Sequence, residues 1–418
     1  MRVGFVIWGL FTAKGGLERV GCNLAHAMLA RGHKVVIFHL ETQTASTHPM
    51  YPLDPSITLV PLNFHSAHPE QEVRSRILAA RLDVFCGLFS WDALLWFPAI
   101  LNNTGIPFLI SEHSNPDIIE HERWNRYEHL ACLAGADSIH VLLESFKQKF
   151  PAFLRDRIEV IPNPAEPPCT VNWERENNPV KTILAVGKLI DDIKQFSLLI
   201  QAFALLSVKF PDWRVSICGD GGDKAAYRSL IAEFDLDDRI SLHGNIDAID
   251  SFYATSHIFC IPSRYEGFGL VTTEAQRHAL PVVGFAQCSG TNEIVLHGKS
   301  GILADDMSPE SLAAGLGVLM KNAPLRKSMG LHGQQSLERY APTTVYNQWE
   351  NLLLRTAARK NSTVLACPPL SEEARINRAL EEILSREHPF VRPCCESADR
   401  EIIRLRHILQ TMTTKEHV

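Results

Sequence analysis

The stretch "VGFVIWGLFTAKGGLERVGCNLAHAMLARGHKVVIF", Val3 to Phe38, decides the fold. It opens on a short apolar run, 3–8, and breaks at a glycine-containing loop. Leu17, Val20, Leu24 and Met28 then recur at helical spacing. Gly32 in "RGH" suits a helix C-terminus, where a left-handed residue is favoured. Lys34–Phe38 is a second apolar strand. Strand, loop, helix, strand is the unit from which a parallel sheet is built.

The alternation continues outward, with strands expected at 57–62, 83–89, 107–112, 137–142 and 158–162. It breaks at "NPAEPPCTVNWERENNP", 163–179, whose Pro, Asn and Glu content reads as a linker. It restarts with strands at 181–187, 213–219, 239–244, 256–262 and 281–285, and helices dominate from Pro309. The expected organisation is α/β: a Rossmann-like domain over 1–165, a linker over 166–179 and a second Rossmann-like domain over 180–340. A helix over 341–359 is expected to pack back toward the first domain, and 360–418 to form an extra helical tail. Two such sheets are expected to face a central cleft. Ligands of open parallel sheets bind beyond the carboxyl ends of the strands, so the loops after each strand hold the chemistry.

Bulk properties narrow the function. A chain of 418 residues exceeds what one core usually supports. The net charge of -6 offers no global field for phosphate backbones, which argues against a nucleic-acid partner. Ten cysteines include no C-x-x-C pair, so neither a zinc knuckle nor a dithiol motif is present. Cys218 and Cys260 sit in apolar runs and read as small buried hydrophobes of a reducing, cytoplasmic compartment. "MRVGFVIWGLF" has the charge and apolar run of a signal peptide, but no small-x-small cleavage site follows, so it reads as a strand. "ALLWFPAIL" is too short to span a bilayer. Peripheral membrane contact stays open: "EVRSRILAARLD", 72–83, places Arg74, Arg76 and Arg81 near Ile77 and Leu78. An ordinary surface helix has the same pattern.

Three loops carry chemistry. In "TAKGGLERV", Gly15 and Gly16 stand between a strand and a helix N-terminus, where bare backbone and unpaired N–H groups suit a phosphate. A plain tight turn explains the glycines equally well, and the spacing is not G-x-G-x-x-G. In "AVGKLIDDIKQF", Lys188 and Lys194 could clamp a diphosphate, or be solvated lysines with Lys194 paired to Asp191 or Asp192. In "PSRYEGFGLVTTEAQ", 262–276, Glu266 lies in a turn and Glu274 on the following helix. Position 271 is Val, so Glu274 does not complete a capping box. It could stabilise the helix dipole, or accept two hydrogen bonds from a vicinal diol such as a ribose.

"EGFGLVTTEA" resembles the E-x7-E signature of the retaining glycosyltransferases of family 4, the group 1 glycosyl transferases, which have the GT-B fold. The Gly-Gly loop, "VGKL…K", "GDGG" and "PVVGF" follow in that family's order, and the resemblance covers roughly residues 1–355. It implies donor-binding roles for Gly15, Gly16, Lys188, Lys194, Glu266, Gly267, Phe268, Gly269, Leu270 and Glu274. Glu274 would take the ribose hydroxyls, the lysines the diphosphate, and Glu266 with the backbone at Phe268 and Gly269 the sugar and phosphate. It implies catalytic roles for Glu266, His113 and Lys194; Glu112, beside His113, is a weaker candidate. Taken by itself, His113 reads as a satisfied structural histidine. Two positions depart from the family: Lys188 stands where Arg is usual, and Gln195 where Gly is usual.

The activity implied is transfer of a hexosyl or N-acetylhexosaminyl group from a nucleotide-sugar, a UDP-sugar first, with retention of configuration. The acceptor would be a glycan, a lipid-linked glycan or a small molecule, in bacterial surface polysaccharide, lipopolysaccharide or lipid-linked oligosaccharide assembly. No cofactor and no metal ion are expected, and "DLD", 235–237, reads as a helix-to-strand turn. Two other readings stand beside this one. A sugar-nucleotide epimerase would convert donor without acceptor, and a non-catalytic subunit would bind nucleotide diphosphate yet never release it from any donor.

Overall fold

The computed structural model describes residues 1–12, 15–40, 48–63, 69–88, 96–101, 104–118, 129–130, 133 and 135–359. The expected tail over 360–418 lies outside them. The described residues form two compact units, one within Met1–Pro162 together with Tyr346–Arg359, the other of Asn163–Val345.

The first unit is built on a seven-stranded sheet: β1 Arg2–Ile7, β2 Lys34–Leu40, β3 Thr58–Leu62, β4 Val84–Leu88, β5 Phe108–Glu112, β6 Ser138–Val141 and β7 Ile158–Val160. The order is β3-β2-β1-β4-β5-β6-β7, every pairing parallel. Strands β1, β4 and β5 are near-continuous apolar runs because helices cover both faces of such a sheet. The helix Gly16–Ala30 crosses from β1 to β2 and buries Val20, Leu24 and Met28. The helix Pro342–Ala357 runs into this unit. There Trp349 is buried, Thr356 Oγ1 donates to Ser138 Oγ (2.9 Å), and Glu350 meets His33 Nε2 (2.8 Å).

The second unit holds six strands: β8 Lys181–Val186, β9 Trp213–Cys218, β10 Ile240–Gly244, β11 Ile258–Ile261, β12 Val282–Phe285 and β13 Gly301–Ala304. Their order is β10-β9-β8-β11-β12-β13, again parallel. Strand β13 is absent from the sequence reading. It is four residues long, and Gly301 approaches its neighbour so closely that a Cβ there would lie 2.1 Å from the Val282 carbonyl oxygen. "DLD" lies in the turn between the helix Lys224–Glu233 and β10, with Asp235 left-handed.

The Pro-rich segment after residue 163 is fastened to the second unit. Asn172 Oδ1 accepts from Glu174 N and caps a short 3-10 turn, Trp173–Asn177. Buried Arg175 donates to the carbonyls of His278 (3.1 Å) and Ala279 (2.8 Å), and Glu176 pairs with buried Arg326. In the helix Pro69–Ala79, Ile77 is buried, Arg74 donates to the Ile100 carbonyl, and Arg76 donates to the Pro61 carbonyl and to Glu72. Among the described residues no helix is long and apolar enough to cross a membrane.

Each sheet reverses its strand order beside its first strand, between β1 and β4 and between β8 and β11. At such a switch point the loops on either side leave in opposite directions and open a crevice at the carboxyl ends. In the second unit the loop after β8 is packed onto the loop after β9. Gly219 has φ +141°, and a Cβ there would lie 1.8 Å from the Gly187 carbonyl oxygen. A Gly219→Ala variant is therefore expected to lose on the order of 3 kcal/mol or more of stability. Urea unfolding checks this; an unchanged midpoint would contradict the packing described.

Candidate functional site

The crevice of the second unit begins with the loop after β8. Lys188 leaves the strand exposed, and its ammonium has no partner among the described residues. Asp191 does not take Lys194. Its oxygens accept from Ser197 N (3.0 Å), Ser197 Oγ (2.6 Å) and Tyr227 OH (2.9 Å). Lys194 instead reaches Glu266 Oε1 at 2.6 Å. The next residue, Gln195, is left-handed with φ 47° and ψ 40°, joining the short helix Asp191–Lys194 to the helix Phe196–Ser207. This is the conformation glycine adopts freely, so the chain keeps the backbone shape at a cost of about 1 kcal/mol.

Glu266 belongs to the loop after β11, the neighbour of β8 across the switch point. It is buried rather than open to solvent. Ser263 Oγ donates to the same Oε1 (2.6 Å), and among the described residues Oε2 accepts no hydrogen bond. One glycine makes room for it, and a second turns the chain in ordinary contact with it. A Cβ on Gly290, at φ +92°, would lie 3.0 Å from Glu266 Cβ, and one on Gly269, at φ +80°, 3.9 Å from its Cγ. Cys288 lies nearby; burial, with the Glu266 carboxylate beside it, pushes that thiol up to about 12.

Gly269 caps the helix Leu270–Arg277 without any side-chain hydrogen bond. Its first amides are therefore unoccupied by a capping group, and the helix dipole puts partial positive charge there. Gly267, Phe268 and Leu270 are the remaining positions of this turn, with Phe268 buried edge-on against Tyr340 (5.2 Å). Glu274 lies beyond the first turn of the helix, as a non-capping acid must. Tyr253 OH donates to Glu274 Oε2 (3.0 Å), and the Tyr253 ring stacks on His278 (5.5 Å, 14°). The sequence reading missed Tyr253 and Ser263. Tyr253 lies 21 residues from its partner, beyond any local spacing rule, whereas Ser263 stands three residues before Glu266, an S-x-x-E spacing that marks such a contact.

The candidates of the first unit occupy two loops. Gly15 is the N-cap of Gly16–Ala30, its carbonyl accepts from Tyr51 OH (3.1 Å), and a Cβ there would lie 2.4 Å from Glu18 Oε2. His113 follows β5, and Ser111 Oγ lies 2.8 Å from its Nε2. Burial, then the neighbouring His140, hold His113 well below the usual imidazole range. Burial takes His140 down to about 4, against the Ile161 carbonyl bond that would raise it. Glu112 is committed elsewhere: it is buried, with both oxygens on His129 Nε2 (2.9 and 3.0 Å).

Neutral buried histidines link stability to pH. The unfolded chain takes up these protons near pH 6.5, while the folded protein does not until about pH 4 for His140. The His140 contribution is fully present above pH 6.5 and is lost as pH falls toward 4. For His140 it amounts to about 3 kcal/mol. Urea midpoints across that window should fall less steeply in His140→Phe than in the wild type. Parallel curves would contradict the neutral assignment.

Comparison with known proteins covers both units. Residues 14–167 match the family described as Glycosyltransferase Family 4, and residues 172–336 the family described as Glycosyl transferases group 1. An uncharacterized glycosyltransferase of Haemophilus influenzae is 27% identical over 360 residues, covering 84% of this chain and 99% of that one. The chain spans less than half the length of the curated relatives that follow it. The pneumococcal O-GlcNAc transferase, in complex with UDP and GlcNAc, superposes with a TM-score of 0.70 at 13% identity, over 85% of this chain and 99% of that one. An apo lipopolysaccharide outer core galactosyltransferase superposes with a TM-score of 0.64 at 16% identity, over 85% and 99%. These two likenesses establish the shared GT-B fold.

Proposed function

The chain belongs to the group 1 glycosyl transferases of glycosyltransferase family 4, and from that premise we propose which group it moves and how. It takes a hexosyl or N-acetylhexosaminyl group from a nucleoside diphosphate sugar, a UDP-sugar by preference, to an acceptor hydroxyl with retention of configuration. The observation that carries this reading is the Lys194–Glu266 pair, set where the loops after β8 and β11 adjoin, with exposed Lys188 on the same loop as Lys194.

In this reading Lys188 and Lys194 hold the diphosphate, joined by amides at the N-terminus of Leu270–Arg277. Glu274, steadied by Tyr253, accepts from the two ribose hydroxyls. Glu266 offers Oε2 to the sugar while Lys194 and Ser263 hold Oε1. The family resemblance assigns Gly15 and Gly16 to the phosphates and His113 to the sugar. The anomeric carbon–oxygen bond to phosphate breaks as the acceptor oxygen attacks from the same face. The acceptor's proton passes to the departing phosphate. Negative charge grows on that phosphate, so fixed cations and amides stabilise the transition state more than the ground state. Lysines and helix dipole neutralise the diphosphate without calling on a metal ion.

A UDP preference is supported by the UDP-bound pneumococcal neighbour. An acceptor in surface-glycan assembly is supported by the lipopolysaccharide outer core galactosyltransferase neighbour, and we place that work at the cytoplasmic side of a membrane as part of the same proposal. Thermal-shift screening with UDP, GDP and ADP and their sugars, followed by Glu274→Ala, tests the reading. The substitution should weaken the best ligand about tenfold to a hundredfold, the worth of hydrogen bonds to a charged group. Unaltered binding by Glu274→Ala would refute the ribose assignment.

A further inference from the structure

A line of polar atoms runs behind His113. In the β5–β6 register Ser111 lies opposite His140. His113, two residues beyond Ser111, returns to the same face. Ser111 Oγ lies 2.8 Å from both His113 Nε2 and His140 Nδ1, and His140 Nε2 lies 2.7 Å from the Ile161 carbonyl oxygen. Ser111 and His140 are buried, and the His140 ring packs on Trp349 at 4.3 Å.

The last atom of the line fixes the rest. A carbonyl oxygen only accepts, so His140 carries its proton on Nε2. Burial and the 5.5 Å spacing of the two rings keep both imidazoles neutral. His140 Nδ1 is then an acceptor and takes the one hydroxyl proton of Ser111. Ser111 Oγ is left with lone pairs, so His113 Nε2 must donate to it. His113 Nδ1 is bare, with no partner among the described residues.

We propose that Ser111 and His140 are positioning residues that hold His113 as the neutral Nε2–H tautomer, presenting Nδ1 as an acceptor for a hydroxyl of the donor sugar. This rests on His113 meeting the sugar, as read above. It sets a chemical class: His113 accepts from a hydroxyl and cannot serve as a cation or donor toward phosphate. A sugar carboxylate at that point would meet a lone pair, so a neutral sugar is selected over a uronate.

Isotopic labelling of the imidazole nitrogens in the full chain reads the tautomer, with His113 assigned by its loss in His113→Gln. At neutral pH the wild type should show His113 protonated on Nε2 alone. Ser111→Ala should give a mixture of tautomers. Should that variant not fold, His140→Phe keeps an aromatic ring against Trp349, removes the acceptor for Ser111, and should likewise abolish the preference. A wild-type His113 protonated on Nδ1 or on both nitrogens overturns the proposal, as does a tautomer unmoved by the substitutions. Binding separates relay from scaffold: Ser111→Ala should weaken UDP-glucose about tenfold, the worth of one hydrogen bond, and leave UDP unchanged. Equal weakening of both ligands overturns the positioning role. If neither ligand binds the wild type, the UDP-sugar reading fails, and the imidazole spectra still decide the relay.

Discussion

One ion pair organises the second unit's crevice: Lys194 Nζ on Glu266 Oε1 at 2.6 Å. Its partners lie 72 residues apart and meet because β8 and β11 are neighbours at the switch point. Taking both charges from water is costly, and a buried pair is seldom the most stable filling for its space. Much of the surrounding geometry serves it. Gly290 leaves room for the Glu266 side chain, Ser263 shares its carboxylate oxygen, and Gln195 accepts a left-handed backbone directly after Lys194. Structure spent on holding a charge pair at a crevice, with the carboxylate's second oxygen uncommitted among the described residues, is what a charged substrate would require.

The first unit solves a different problem with neutral groups. Ser111, His113 and His140 are aligned by strand register and settled by a backbone carbonyl. Such a network is sound only when every member is satisfied, because each buried polar atom left unpaired is costly. Glu112 and His129 form a separate buried pair alongside. Sequence proximity to His113 thus says little about function: Glu112 adjoins it in the chain and is consumed by the core.

The sequence disclosed what depends on local pattern. Apolar runs of strand length with helices between them placed twelve of the thirteen strands, because strands covered on both faces are apolar throughout. The exception, β13, is too short to announce itself beside its glycine. Val271 in place of a hydroxyl residue correctly removed Glu274 from the capping positions. What stayed hidden depends on distant pairing. Lys194 had two aspartates close in sequence, yet Asp191 is filled by Ser197 and Tyr227, and the true partner lies across the switch point. His140 gives no sign in sequence of its place beside Ser111, which only the strand register creates.

On the proposed reading, Lys194 and Glu266 work as one unit on a nucleoside diphosphate sugar. A double-mutant cycle tests it most directly, with Lys194→Met, Glu266→Gln and both together, scored by nucleoside diphosphate release from the best-bound donor. Each single change should lower kcat/KM about a hundredfold or more, and the double variant should be hardly worse than either, the behaviour of residues acting together. Losses that simply add, or a single variant retaining wild-type turnover, would contradict it.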